Sequence, residues 1–218
     1  MIKAIKPRMQ RHWRKRRMEA FIELMCLKPG SRIVDLGGLP EFWETIAIDL
    51  DITVLNLPGA FTGKRGSFTR QYRFVEADAC ELLDLADNSF DIAFSNGVIE
   101  HVGSLARQEA FAKTVRRLAP SYWIQTPSMW FPIEAHCNLP FWWFYPPSLK
   151  NAWIRHWQRQ GREFKWKQMS ETRVLSLGRL KTLFPEAKVY TECVAGFPKS
   201  YSMYVPMYVP MQKEQSRQ

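Results

Sequence analysis

The chain has 218 residues, 46% hydrophobic and 14% aromatic, enough to bury the core of one globular domain or of a domain with an elaborated end. Lys and Arg outnumber Asp and Glu by 31 to 21, so the formal charge is +10, which favours an anionic partner or surface and leaves the fold open. No stretch approaches the ~20 apolar residues of a membrane-spanning helix, and the basic N-terminus lacks the ~7–15-residue apolar core of a secretory signal.

Cys26, Cys80, Cys137 and Cys193 contain no C-x-x-C pair. That speaks against a disulfide framework or a thiolate zinc site and for a reducing cytoplasm, with peripheral contact at the inner face of a membrane left open. The charge is unevenly placed: residues 1–20 hold eight basic side chains and one acidic, 21–100 hold six and thirteen, and 101–218 hold seventeen and seven. An acidic middle is unlike the diffuse basic surface of a nucleic-acid binder, so the centre of the chain points to another chemistry.

In chain order, Ile5, Met9, Trp13, Met18, Phe21, Ile22 and Met25 recur at helical spacing and predict a helix over 3–27, stopped by Pro29-Gly30. Arg32 to Leu36 reads as a buried strand feeding the turn Gly37-Gly38, and Pro40 suits the first turn of a following helix. Ile52 to Leu57 is a second strand, 62–67 a loop, Tyr72 to Glu76 a third strand and Phe90 to Ser95 a fourth. Leu105 to Leu118 is helical, and Trp123 to Gln125 is a fifth strand. Strands alternating with helices predict an α/β fold with a mostly parallel sheet.

The texture then changes. Trp123 and the six Trp between 130 and 166 leave only two of the nine elsewhere, and with several prolines they mark 128–169 as an inserted lid. Regular elements return as a helix over 175–184 and strands over 188–193 and 200–205, followed by an extended tail at 206–218.

Parallel sheets deliver ligands to their carboxyl edge. Asp35-Leu36-Gly37-Gly38, Asn56, Asp78 and Ser95-Asn96 each fall at or just past a strand end, so four polar groups converge there. A glycine turn of this kind lets a ligand approach the backbone closely.

Val34-Asp35-Leu36-Gly37-Gly38, Glu76-Ala77-Asp78-Ala79 and Ser89-Phe90-Asp91-Ile92-Ala93-Phe94-Ser95-Asn96-Gly97-Val98-Ile99-Glu100-His101-Val102 resemble class I S-adenosylmethionine-dependent methyltransferases in order and spacing. Gln125-Thr126-Pro127, then Trp130-Phe131-Pro132-Ile133-Glu134 and His136, are similar to a bacterial subgroup associated with glycan and cell-surface polysaccharide biosynthesis. The resemblance implies a Rossmann-like fold with helices on both faces and the aromatic lid as an insertion. It further implies a methyltransferase domain over 30–205 behind a basic helix at 1–29, with S-adenosylmethionine as cofactor.

By the same resemblance, Asp35, Gly37 and Gly38 would line the methionine end of the cofactor, Asn56 would face the ribose, Asp78 and Ala79 would meet the adenine, and Ser95 with Asn96 would floor the sulfonium. Leu39 and Glu41 stand where the usual loop has further glycines, and Asn56 replaces the usual carboxylate. A neutral amide binds a ribose hydroxyl more weakly than a carboxylate does.

An alcohol acceptor must also lose a proton, and a histidine near pH 7 can take it. His101 is the first candidate base, with Glu134 and His136 as alternatives. His12 and His156 read as surface residues, and no metal site is expected. The expected acceptor is a glycan or lipid-linked sugar. The basic N-terminal residues, Lys3 to Arg17, read as a solvated helix face or as an anchor on anionic lipid; RNA methylation and a non-catalytic binding role are the competing readings.

Overall fold

The computed structural model describes residues 2–61, 68–81 and 84–208, with side chains from residue 12 onward. The loop at 62–67 and the tail from 209 lie outside the described residues. Short apolar runs form the sheet: β1 (Arg32–Leu36), β2 (Asp51–Asn56), β3 (Tyr72–Glu76), β4 (Ile92–Asn96), β5 (Ser121–Pro127), β6 (Lys188–Val194) and β7 (Phe197–Val205). Their spatial order is β3-β2-β1-β4-β5-β7-β6. The first five run parallel, and β7 is antiparallel to both β5 and β6.

Central strands β1 and β4 are buried over most of their length, as a sheet covered on both sides requires, whereas edge strand β3 has no fully buried residue. The β6–β7 hairpin closes through Ala195 and Gly196, both left-handed at φ 50° and 81°, which matches the right-handed strand twist.

Helices cover the two faces. On one side, Phe111, Val115 and Leu118 of α2 (Leu105–Leu118) and Leu180 and Leu183 of α5 (Leu177–Leu183) pack on Val34, Ala93, Tyr122 and Ile124. Ser104 and Ser176 cap these helices by accepting from the amides of Arg107 and Arg179. On the other side, Met18 and Phe21 of α1 (Ile2–Leu24), with Met25 just beyond it, pack on Ile33, Phe94 and Trp123. Each such buried side chain contributes about 1.5–3 kcal/mol, and this docks the helix.

α1 is not uniformly solvated on its basic side. Arg14, Lys15 and Arg16 are exposed, but Arg17 is buried and donates from Nε and Nη2 to Glu192 of β6 at 3.1 and 2.6 Å. Burial raises the Glu192 carboxyl, yet Arg17, Ser200 and Lys199 outweigh it and hold the group below its ordinary range. The side chains of Lys3, Lys6, Arg8 and Arg11 lie outside the described residues.

The segment after β1 departs from expectation. No long helix follows Pro40; Pro40–Phe42 is a single 3-10 turn, after which Trp43 inserts into the core. Trp43 stands 4.8 Å from the Phe94 ring and 6.1 Å from that of Phe21, so the indole anchors a connection whose Thr45, Ile46 and Ile48 are weak helix formers.

The 128–171 segment has its own small core. Trp142 and Trp157 stack at 5.5 Å, with Cys137 and Met169 buried beside them, and α3 (Pro147–Arg159) packs on α4 (Glu163–Glu171). An isolated bridge, Ile133 to Pro140, closes the turn before these helices. No helix among the described residues is long and apolar enough to cross a membrane.

Candidate functional site

The carboxyl edge gathers the expected residues, though several are held differently than the sequence implies. Asp35 is 1% exposed, and its Oδ2 accepts from the Trp43 indole N–H at 2.7 Å. Its Oδ1 is buried with no hydrogen-bond partner. Burial pushes this carboxyl up to about 7, partly offset by the indole bond.

Directly above it lies Gly38, where any Cβ would fall 1.8 Å from Asp35 Oδ2. Gly37, at φ +80°, would press a Cβ within 2.7 Å of Val98. Both glycines are therefore required by close packing, one on the carboxylate and one on the loop after β4.

Asn56 does not simply face outward. Its Nδ2 donates to the Gly38 carbonyl at 2.9 Å and its Oδ1 accepts from Leu57 N–H, so it clips the glycine turn to β2. A carboxylate could not donate that bond, which is a physical reason for the amide. A ribose hydroxyl would have to share Oδ1.

Ser95 is fully buried and donates to the Leu36 carbonyl, tying β4 to β1; it supports the floor rather than forming its surface. Asn96 is partly buried, and its Oδ1 accepts from Arg17 Nη1 at 2.8 Å. Asp78 accepts from Cys80 N–H at 2.8 Å and pairs with Arg107 at 2.5 Å. Burial raises its carboxyl, but these two partners prevail and keep it below its ordinary range. Ala79 follows it, partly buried against the α2 side of the core.

The three candidate bases, distant in sequence, are brought together. His101 and His136 meet edge to face with ring centres 5.4 Å apart. Glu134 Oε1 lies 2.7 Å from His136 Nδ1, while its Oε2 accepts from the backbone N–H groups of His136 and Cys137 at 2.6 Å. Burial pushes the Glu134 carboxyl up, but these bonds hold it below the usual range. One carboxylate thus both caps the turn and orients an imidazole.

Two residues that sequence reading did not single out complete this cluster. Thr172, 2% exposed, donates its one hydroxyl hydrogen to the Gln168 carbonyl at 2.7 Å and stands 3.1 Å from His101 Nδ1. With that hydrogen committed, the hydroxyl can only accept from His101. Nδ1 therefore carries the proton and Nε2 is the basic nitrogen.

Glu100, 2% exposed, accepts from the Thr126 hydroxyl at 2.9 Å, and its Oε1 lies 3.9 Å from that Nε2. Burial raises Glu100 to about 7. Burial, then the neighbouring His136, lowers His101 below 6.5, with Glu134 opposing. The imidazole is thus largely neutral at pH 7 and able to accept a proton. His12 and His156 are exposed and apart from the cluster, and no group of three or more His, Cys, Asp or Glu able to hold a metal occurs among the described residues.

Trp43, Arg17 and Thr172 had different visibility. Arg17 precedes the buried Phe21 by four residues and so shares its helix face, a signal hidden among eight basic residues. Trp43 and Thr172 carry no local pattern.

Seven strands in this order, with the penultimate one in space reversed and helices on both faces, make the Rossmann-like fold of class I methyltransferases. Residues 24–123 match the family model described as Methyltransferase domain. A SAM-dependent methyltransferase of Archaeoglobus fulgidus superposes with TM-score 0.56 at 14% identity, over 87% of this chain and 91% of that one. A protein of Anabaena variabilis ATCC 29413, described as a candidate methyltransferase of an antibiotic biosynthesis pathway, gives 0.54 at 19% identity over 81% and 64%. Phosphoethanolamine N-methyltransferase 2 of Haemonchus contortus, solved with S-adenosyl-L-methionine, gives 0.54 at 13% over 81% and 38%. The chain thus spans less than two thirds of the latter two proteins. No curated protein sequence matches it significantly.

The match sets S-adenosylmethionine as the cofactor against which the edge is tested, and the edge fits it. The cofactor's methionine end carries an ammonium and its sulfur a positive charge. A desolvated carboxylate with an unsatisfied oxygen, Asp35 Oδ1, is the partner such a cation requires.

Proposed function

We propose that the chain is an S-adenosylmethionine-dependent methyltransferase that methylates a hydroxyl oxygen, with His101 Nε2 as general base. The observation carrying this reading is the Thr172–His101 contact, which leaves the basic nitrogen on the Glu100 side of the ring, towards Gly97 and the carboxyl edge. The cofactor, when bound, supplies an already activated methyl group. Asp35 and the Gly37-Gly38 turn would hold its methionine end, Asn56 Oδ1 the ribose, and Asp78 with Ala79 the adenine side.

The protein's part is alignment and proton removal. His101 Nε2 takes the acceptor proton as the oxygen attacks, and the proton stays on the imidazole until solvent removes it. Nδ1–H donating to Thr172 fixes the ring during that transfer. Orientation contributes up to about 7–11 kcal/mol and the base a further 10²–10⁴-fold.

A glycan or lipid-linked sugar acceptor agrees with the aromatic lid, whose Trp130 and Phe144 stack at 4.9 Å with about half of each side chain exposed. Peripheral contact with an anionic membrane agrees with the exposed Phe164 beside Arg162, Lys165 and Lys167. The test is methyl transfer from labelled cofactor to fractionated lipid-linked, envelope and RNA pools. Labelling of a hydroxyl-bearing envelope or lipid-linked product, lost in His101→Ala, supports the reading; labelling confined to RNA, or turnover unchanged by the substitution, overturns it.

A further inference from the structure

A cavity of about 900 Å³ lies between the lid, the N-terminal end of α2 and the strap that joins α4 to α5. A hexose ring alone would leave most of it unfilled, since cavities of ~300–1,000 Å³ take whole drug-sized ligands. Its apolar wall is offered by the half-buried Met129, Trp143 and Ile154, over the buried Trp142, Met169 and Leu175, and it carries three cations, Lys150, Arg173 and Arg179. No Asp or Glu lines it among the described residues.

Arg179 is already paired with Glu109 at 2.7 Å. Lys150 and Arg173 bond only to carbonyl oxygens, Lys150 to Trp143 and Arg173 to Ser170 and Thr172, and neither has a carboxylate partner among the described residues. Lys150 is half-buried and Arg173 stands exposed at the rim; two cations without a carboxylate partner beside an apolar wall suit an anionic group attached to an apolar body.

The cavity also adjoins the segment that holds the proposed base. Thr172 lines it and contacts His101, and the adjoining Arg173 N–H donates to the Glu100 carbonyl at 2.7 Å. A ligand lying in it would have one end at the strap that holds the base.

We propose that this cavity binds the non-reacting part of the acceptor, an anionic amphiphile, with its apolar body against Met129, Trp143 and Ile154 and its phosphate or carboxylate against Lys150 and Arg173. Assigning it to the acceptor rests on the methyltransferase reading; the binding site itself does not.

The probe is monomeric dodecyl phosphate, titrated into the full chain below its micelle concentration and followed by tryptophan fluorescence and calorimetry. Dodecyl maltoside, inorganic phosphate and phosphatidylglycerol vesicles are the comparison arms, and S-adenosylmethionine affinity is measured in parallel. The expected result is saturable one-to-one binding of dodecyl phosphate, at least about tenfold tighter than dodecyl maltoside, and no measurable binding of inorganic phosphate.

Lys150→Met with Arg173→Gln should remove that preference. Ile154→Trp, which fills the apolar wall, should abolish binding while cofactor affinity is kept; should it unfold, the charge variant decides alone. Equal binding of the two dodecyl compounds, or binding unchanged in the charge variant, overturns the proposal. So does vesicle binding that Ile154→Trp leaves intact when dodecyl phosphate does not bind, because the anionic contact would then be on the outer surface. Lost cofactor binding with intact dodecyl phosphate binding would overturn the enzyme reading instead.

Discussion

The carboxyl edge and the lid treat charge in opposite ways. At the edge, Asp35 and Glu100 are buried acids, and burial drives both up to about 7. In the lid and the strap behind it, Lys150 and Arg173 are cations without carboxylate partners among the described residues, and the lid's large aromatic side chains are split between an inner stack at Trp142 and Trp157 and an exposed set at Trp130, Phe141, Phe144 and Phe164. The difference teaches how one chain can hold a dry, acidic socket that suits a cationic cofactor and, on the proposal above, a cationic, apolar one for an anionic acceptor. The two regions meet where His101 contacts His136 and Thr172 and where Arg173 N–H donates to the Glu100 carbonyl.

The comparison breaks first at that contact. His101→Ala should lower kcat by about 10²–10⁴-fold while leaving cofactor affinity unchanged, measured by methyl transfer and calorimetry. In the unaltered protein, kcat/KM should fall as pH drops through a value below 6.5, because burial and His136 lower His101 and only its neutral form accepts a proton. That limb should vanish in the variant.

A substitution inside the lid core tests whether the two regions share stability. Trp157→Ala should cost about 3–5 kcal/mol, read by denaturant unfolding, because the ring is 1% exposed and stacks on Trp142. Phe164→Ala, on the same segment but 80% exposed, should stay within about 0.5 kcal/mol.

At the edge, Asp35→Asn should weaken cofactor binding at least about tenfold and at the same time stabilise the free protein at pH 8 relative to pH 5. The unfolded chain has released this proton above about pH 5, whereas the native protein holds it to about 7. The native state therefore binds more protons in that window, and stability falls as pH rises through it; the amide removes the loss. A variant whose pH dependence matched the parent would show that Asp35 is not the raised carboxyl.

The smallest catalytic effect is expected at Thr172→Val, which keeps shape and removes the hydroxyl. kcat should drop about tenfold, within the range of a positioning residue acting through the base, and nitrogen NMR of His101 should show the second tautomer populated. A kcat loss with the tautomer unchanged would assign Thr172 a packing role instead.

Much of the sheet is legible because its strands are short apolar runs bounded by turn residues. β1, β3 and α2 fall where the pattern puts them, and β2 differs by one residue at each end. β5 extends to Ser121 and Pro127 because its ends pair with β4 and β7, a long-range contact that no local pattern encodes. The helix inferred after Pro40 is absent for a related reason: the chain there is organised by one indole reaching Asp35.

The site was legible as a set of strand ends and as three candidate bases. What the sequence could not convey is which of those groups the fold keeps for itself. Ser95 and Asn56 spend hydrogen bonds on the backbone of the glycine turn and its strand, and Arg17 crosses from the N-terminal helix to Asn96. All three contacts join residues at least 18 positions apart.

The most direct test of the central claim is calorimetry of S-adenosylmethionine binding at pH 7 in buffers of different ionisation enthalpy. A cation arriving beside Asp35 should drive its proton off, so binding should release close to half a proton per site, and the release should disappear in Asp35→Asn. Absence of binding, or binding that releases no proton, would contradict a cofactor socket built on that carboxylate.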